Sequence, residues 1–425
     1  MIYMPNFELS GIQNWKQNIY IFLTGQFLSG ITSMIVQYSI IWYLTMQTKS
    51  ATILSVASIL GMLPMILLSP FVGGLIDRSN KRALLIITDA IVAIFAVFLS
   101  IAGSLESSFP LWLVFVSLFM RAVAQTFQQP TIQSALPTMV PADELTRFNG
   151  QLGMIQSANF IIAPALGAFL FSIVSIQYLI LLDVIGFIIG ASLLLLVKIP
   201  DNSANAVTEV HAGQDAIFGL KKLRTRPGLW RITLIGTLFT LLFMPVGSMY
   251  PLMTVQYFHG TIAQAGIVEV VWSVGMLFGG AIIGIQKNWH NRMIPLIIAF
   301  FIVGITIGGS GLLPGTTLGF WIFIGLNGIA GFSVPFFNTM LMAMIQQSYP
   351  PEILGRIMGV FGSLMSIGGP IGLIFAGPLG DQIGVQNLFL IGGIGSVLCG
   401  ILILFLPSAR RYDLDLQSEI NASEK

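Results

Sequence analysis

Long apolar runs, each ended by a short cluster of charge, proline or glycine, repeat along the whole 425-residue chain. Twelve can be counted, at about 18–44, 50–76, 82–104, 110–135, 145–171, 175–198, 229–257, 261–286, 292–313, 317–346, 352–378 and 384–406. A helix crosses a hydrocarbon core about 30 Å thick with about 20 apolar residues. Strands of a membrane barrel need only roughly ten, so these lengths predict helices, the structure that satisfies its own backbone hydrogen bonds in lipid. The expected fold class is an all-α integral membrane protein with twelve transmembrane helices. An even number of crossings places both termini on one face.

Composition agrees with this pattern. The chain is 55% hydrophobic and only 8% charged, with a mean hydropathy of +0.88, whereas soluble domains carry about 25% charged residues. The first run starts near Asn18 and is too long for the core of a signal peptide, so it reads as a retained first span. Cys399 is the one cysteine, which excludes an internal disulfide, and His211, His259 and His290 are scattered without metal-site spacing. No ATP-binding loop, H-E-x-x-H or paired-cysteine motif is present. No enzyme activity, cofactor or nucleic-acid partner is expected.

Charge asymmetry sets an orientation. Of the 19 Lys and Arg, Arg121 lies deep inside a span and Lys49 in the first connection; the rest fall in the termini, in even-numbered connections or within about four residues of them. Positively charged loops stay cytoplasmic, so both termini are expected inside. Trp15, Trp42, Trp112, Trp230, Trp289 and Trp321 lie near span ends, as an interfacial belt requires. The expected organisation is a six-helix bundle at 1–198, a cytoplasmic linker at 199–228, a second bundle at 229–406 and a tail at 407–425. Within the linker, Ile217, Leu220 and Leu223 alternate with Lys221, Lys222, Arg224 and Arg226. That pattern suits either a short amphipathic helix on an anionic leaflet or a solvated basic linker.

The halves repeat. PADELTRFNG at Pro141–Gly150 matches PPEILGRIMG at Pro350–Gly359 in Pro, an acid, Leu, Arg and Gly, and APALGA (163–168) is echoed by GPIGLI (369–374). Two parallel six-span repeats place a binding site at the midplane, with access alternating as the halves rock. These features indicate a transporter.

At this point the residues resemble a known family. GGLIDRSNKR (73–82) resembles the major facilitator signature G-x-L-x-D-R-x-G-R-R, with Asn80 in place of the last glycine. Arg121 in LFMRAVAQ resembles the fourth-span arginine motif without its downstream glycine. APALGA resembles the fifth-span antiporter motif G-P-x-x-G-G, with Ala163 and Ala168 as departures. Across its length the chain is similar to the drug/proton antiporter branch that includes macrolide efflux (Mef-type) proteins. The resemblance implies two pseudo-symmetric bundles and proton-driven export of macrolides. It also implies that Asp77 docks at the N-terminus of the eleventh span, near Pro351, where a helix dipole favours a carboxylate by about 0.3–1 kcal/mol. Gly73 and Gly74 would permit close helix packing. Gly73, Gly74, Asp77, Arg78 and Arg82 would then form a cytoplasmic gate; the alternative is a positive-inside anchor without gating.

Asp89, Arg121, Asp183 and Glu269 lie well inside apolar runs. A charge at mid-bilayer costs at least about 2.5–3.5 kcal/mol, so each is a functional candidate. At 1.5 Å per residue Arg121 sits roughly 16 Å from the outer boundary, near the midplane. Glu269 shares a helical face with Trp272 and Met276, a wall on which a cationic amphiphile pairs with the carboxylate and stacks on the indole. Proton and cation would compete for that carboxylate, as antiport requires. The alternative is a Glu bonded to a serine, Gln156 or Asn159 across a helix pair.

Arg121, Gln125 and Gln128 form a polar stripe, serving either proton coupling or an internal salt bridge. Asp89 and Asp183 are candidates for proton transfer or structural hydrogen bonding. Gln26, Gln37 and Asn159 add polarity to a cavity, and Pro164 with Gly167 suggests a hinge or an ordinary kink in span five. The functional expectation is a secondary transporter whose partners are a small-molecule substrate, protons and the bilayer of a bacterial plasma membrane. An ABC-type ATPase partner is the alternative energy source. Transport of a nutrient, siderophore or other metabolite, or a channel or sensory role, are the alternative functions.

Overall fold

The computed structural model describes residues 14–105, 109–141, 144–200, 212–286 and 289–423. The crossings of the first half are α1 (Trp15–Thr48), α2 (Ala51–Arg78), α3 (Lys81–Leu105), α4 (Leu111–Met139), α5 (Leu145–Ile173), and α6 with α7 (Ile176–Leu179 and Leu182–Leu196). After α8 (Ala212–Arg224) come α9 (Pro227–Leu252), α10 (Ile262–Ile285), α11 (Met293–Leu312), α12 (Thr317–Ser348), α13 (Pro351–Ile383) and α14 (Val385–Phe405). The short helices α15 (Pro407–Arg410) and α16 (Tyr412–Ser423) close the chain. Twelve helical segments are long and apolar enough to cross a membrane, and no strand occurs among the described residues. Several helices outrun their apolar runs, because backbone pairing continues past the hydrocarbon boundary.

Two crossings are locally irregular. The sixth is interrupted at Ile180–Leu181, where Asp183 N–H and Val184 N–H reach back only three residues, to Ile180 and Leu181. In α9, Pro251 lacks the N–H that continues the ladder, and the next turn, Met253–Tyr257, widens to a π-helix.

The chain divides into two compact units, residues 1–40 with 60–210 and residues 41–59 with 211–425. These limits differ from the expected bundles at 1–198 and 229–406, because the ends of α1 and α2 around their shared turn group with the second unit. In the first unit, α3 packs on α4 and α7. Phe22, Leu85, Ile132, Leu136, Phe148 and Leu194 belong to a buried cluster there. Asn18 exchanges hydrogen bonds with the Lys198 backbone at 2.7 and 2.8 Å, tying the start of α1 to the end of α7.

In the second unit α10 pairs with α12, α11 with α14 and α9 with α13. Glycine permits the closest approach: a Cβ at Gly331 of α12 would strike the Trp272 carbonyl of α10, and one at Gly275 the Gly328 carbonyl. At the α1–α2 turn, Asp381 of α13 accepts hydrogen bonds from Ser50 Oγ (2.8 Å), Ala51 N (2.6 Å) and Thr52 N (3.1 Å). Those amides are orphan donors of the first turn of α2, and a carboxylate there meets the positive end of the helix dipole.

The segment expected as a tail is docked. Asp413, fully buried, accepts from Arg292 N at 2.6 Å and Arg292 Nε at 2.7 Å. Tyr412 OH and Ser348 Oγ share a hydrogen bond of 2.5 Å. Burial pushes the Tyr412 phenol up and the Tyr349 phenol up to about 12, so both remain hydroxyls, and Tyr349 donates to the Lys222 carbonyl at 3.2 Å. The linker helix α8 packs against α13: Leu223 is fully buried, Gly219 meets the Arg356 backbone, and the Arg356 guanidinium lies 5.2 Å over the Phe218 ring. Lys221, Lys222 and Arg224 stay exposed.

Candidate functional site

A capping box starts α10: Gln264 N–H donates to Thr261 Oγ1 at 3.3 Å, and Thr261 N–H donates to Gln264 Oε1 at 2.8 Å. Two turns later Glu269 and Trp272, three residues apart, enter one cavity of about 110 Å3 together with Phe243, Gly247, Tyr250, Val268 and Asn327. All of these residues belong to the second unit. The Trp272 indole stacks near Phe243, with centroids 6.0 Å apart and planes at 25°, and it tilts against Tyr250 at 5.9 Å. Tyr250 is set in turn by Phe389 and Phe323, at 5.1 and 5.7 Å.

Polar groups in this cavity lack partners. Among the described residues no side chain donates a hydrogen bond to Glu269. The Tyr250 hydroxyl and Asn327 Oδ1 are buried without hydrogen-bond partners, and Tyr250 lies within the electrostatic reach of Glu269. Asn327 Nδ2 donates to the Val268 carbonyl at 2.8 Å. That bond fixes the amide orientation, because a flipped amide would set two oxygens against each other. Gln156, considered from sequence as a partner for Glu269, instead donates to Gln129 at 3.1 Å.

Met276 does not line this cavity, contrary to the face expected from its i+7 position. Beyond Trp272, α10 meets α12 backbone to backbone at Gly275 and Gly279, which leaves no space, and Met276 is exposed. Asn327, Tyr250 and Phe243 were missed from sequence. The one available signal was an asparagine inside the apolar run of α12, since a polar side chain in a span is functional by default.

The first unit contains a separate buried polar network. Arg121 pairs with Asp183 through Nη2–Oδ2 and, at 3.3 Å, Nη1–Oδ1; side-chain exposure is 3% and 1%. Arg121 Nη1 also donates to Ser33 Oγ at 2.8 Å. Asp89 accepts from Gln128 Nε2 at 2.7 Å and Ser29 Oγ at 3.1 Å, both neutral donors. Gln125 is exposed, so the expected stripe divides, with Arg121 and Gln128 turned into the network.

Gln26 and Asn159 are buried, and Gln37 Oε1 and Asn159 Oδ1 have no hydrogen-bond partner. Asn159 lies so close to Gly30 that a Cβ there would meet Nδ2 at 2.7 Å. The α5 helix is continuous through Pro164 and Gly167. The surroundings of Gly73 and Gly74 and the side chains of Asp77 and Arg78 lie outside what is described, as does His211. Arg82 donates from Nη2 to the Leu195 carbonyl at 2.5 Å, at the negative end of α7.

Twelve apolar crossings, a repeated charged signature and polar groups held inside the spans describe a membrane transporter rather than an enzyme. The sequence profile of the Major Facilitator Superfamily matches residues 22–318 and 243–422, and the chain belongs to that family. Over 402 residues it is 35% identical to Macrolide efflux protein A of Streptococcus pyogenes, covering 94% of this chain and 98% of that protein. It is 25% identical over 389 residues to the Multidrug efflux pump Tap of Mycolicibacterium fortuitum, covering 88% and 91%. Among solved structures, an inward-facing bacterial homologue of the iron transporter ferroportin matches with a TM-score of 0.72 at 15% identity, covering 92% of this chain and 98% of that one. At that identity the likeness concerns the fold alone.

Proposed function

We propose that this protein exports amphiphilic cations, macrolides among them, from a bacterial cell in exchange for entering protons. The observation that carries the reading is the Glu269 carboxylate, without a hydrogen-bond donor or cation among the described residues, in an aromatic-walled cavity, in a chain similar over nearly its whole length to a macrolide efflux protein. An acid with no protein cation beside it binds either a proton or a cationic ligand. Proton uptake neutralises Glu269 and releases the cargo; proton loss restores the charge and recruits the next molecule. Alternating access between the two repeats sends the two ligands in opposite directions. The Lys and Arg asymmetry of the connections supports a plasma-membrane orientation with both termini inside.

The test is accumulation of a labelled macrolide in a susceptible bacterium expressing the full chain. Lowered accumulation, restored by a protonophore and by Glu269→Gln, is expected. Glu269→Gln should weaken export about 10- to 100-fold, because a charge-assisted contact contributes about 1.5–3 kcal/mol. Unchanged accumulation in cells expressing the wild type refutes macrolide export. Export that persists with the protonophore assigns the energy to a partner ATPase.

A further inference from the structure

The geometry points to Asn327 as the residue that makes the Glu269 cavity selective for ammonium groups that still carry N–H donors, its Oδ1 accepting one of those hydrogens. The inference rests on the proposed reading of this cavity as the cation site. A space of about 110 Å3 holds about four water-sized groups at roughly 30 Å3 each. That is room for a nitrogen and its immediate carbons, so the cavity receives the charged end of a cargo and leaves the larger body outside.

Phe243 and Trp272 attract any cation, a quaternary ammonium included, through their ring faces. Aromatic walls and a carboxylate would therefore be enough for charge recognition. Asn327 adds something else. Its residue lines the cavity and is 1% exposed, its Nδ2 is committed to Val268 O, and its Oδ1 is buried without a donor. A buried acceptor without a donor costs free energy that a ligand N–H recovers and a methyl group cannot. An ammonium with two N–H bonds satisfies Glu269 and Asn327 together; a quaternary ammonium satisfies neither hydrogen-bond acceptor.

The experiment compares N-methylbenzylammonium, which has two N–H donors at neutral pH, with benzyltrimethylammonium, which has none. Binding of each to the full chain in lipid nanodiscs is measured by ligand-observed NMR titration. The wild type is expected to bind the first more tightly, and Asn327→Leu to weaken it about tenfold, the worth of one hydrogen bond to a charged group, while leaving benzyltrimethylammonium unchanged. Equal affinity of the wild type for both cations overturns the inference without any variant. Asn327→Leu weakening both cations alike also overturns it, since that result marks a packing role. Binding of both cations that is lost in Glu269→Gln keeps the cation site whatever Asn327 does. No binding of either cation to the wild type removes the site and the inference together.

Discussion

Replacing Asp183 by Asn leaves the Arg121 guanidinium buried with its charge uncompensated. Both side chains are nearly inaccessible, at 3% and 1% exposure, and Arg121 Nε already lacks a partner. Breaking one member of a buried pair costs about 3–5 kcal/mol. Ser33 Oγ still accepts from Nη1 at 2.8 Å, so the lower end, about 3 kcal/mol, is expected for Asp183→Asn. Replacing both, Arg121→Met with Asp183→Leu, removes both desolvation penalties and should return stability to within about 1 kcal/mol of the wild type. Unfolding of the purified protein in mixed micelles, titrated with SDS and followed by tryptophan fluorescence, measures the difference. Macrolide accumulation in cells then separates two roles for the pair. A stable, active double variant makes it structural, and a stable, inactive one assigns it to coupling. An Asp183→Asn protein that unfolds at the wild-type SDS fraction refutes the reasoning.

Asp381→Ala removes the acceptor for three donors at the start of α2; because this carboxylate is solvent-exposed, a loss of only about 0.5–1 kcal/mol is expected, read as faster hydrogen exchange at Ala51 and Thr52. Asp413→Ala strands Arg292, which is 7% exposed, and should release α16 at a cost of about 3 kcal/mol. Limited proteolysis near Tyr412 would report that release, and resistance equal to the wild type would contradict the docking.

Much of this protein was legible as a one-dimensional pattern. Lipid admits few ways to satisfy a backbone, so run length alone located the twelve crossings, and charge in the spans marked Glu269, Arg121, Asp183 and Asp89. Helical spacing joined Glu269 to Trp272 because three residues make most of a turn. The same spacing failed at Met276, where the glycine contacts between α10 and α12 decide how deep the cavity runs. A carboxylate at the start of a helix is seen at Asp381, an exposed residue near the end of α13 that carried no special signal, while the Asp77 side chain, for which the resemblance implies the same kind of contact, lies outside the described residues.

By itself the sequence determined the solvent, the number of crossings, the family and the residues that are costly to bury, since each depends on composition or on neighbours along one helix. Partnership was decided only by the tertiary structure. Arg121 meets Asp183 across 62 positions of chain, and Asn327, its Oδ1 without a partner, lines one cavity with an acid 58 residues earlier in the sequence. Which charge inside the spans is answered and which is left waiting depends on how separate helices pack, and no period within a single helix encodes that.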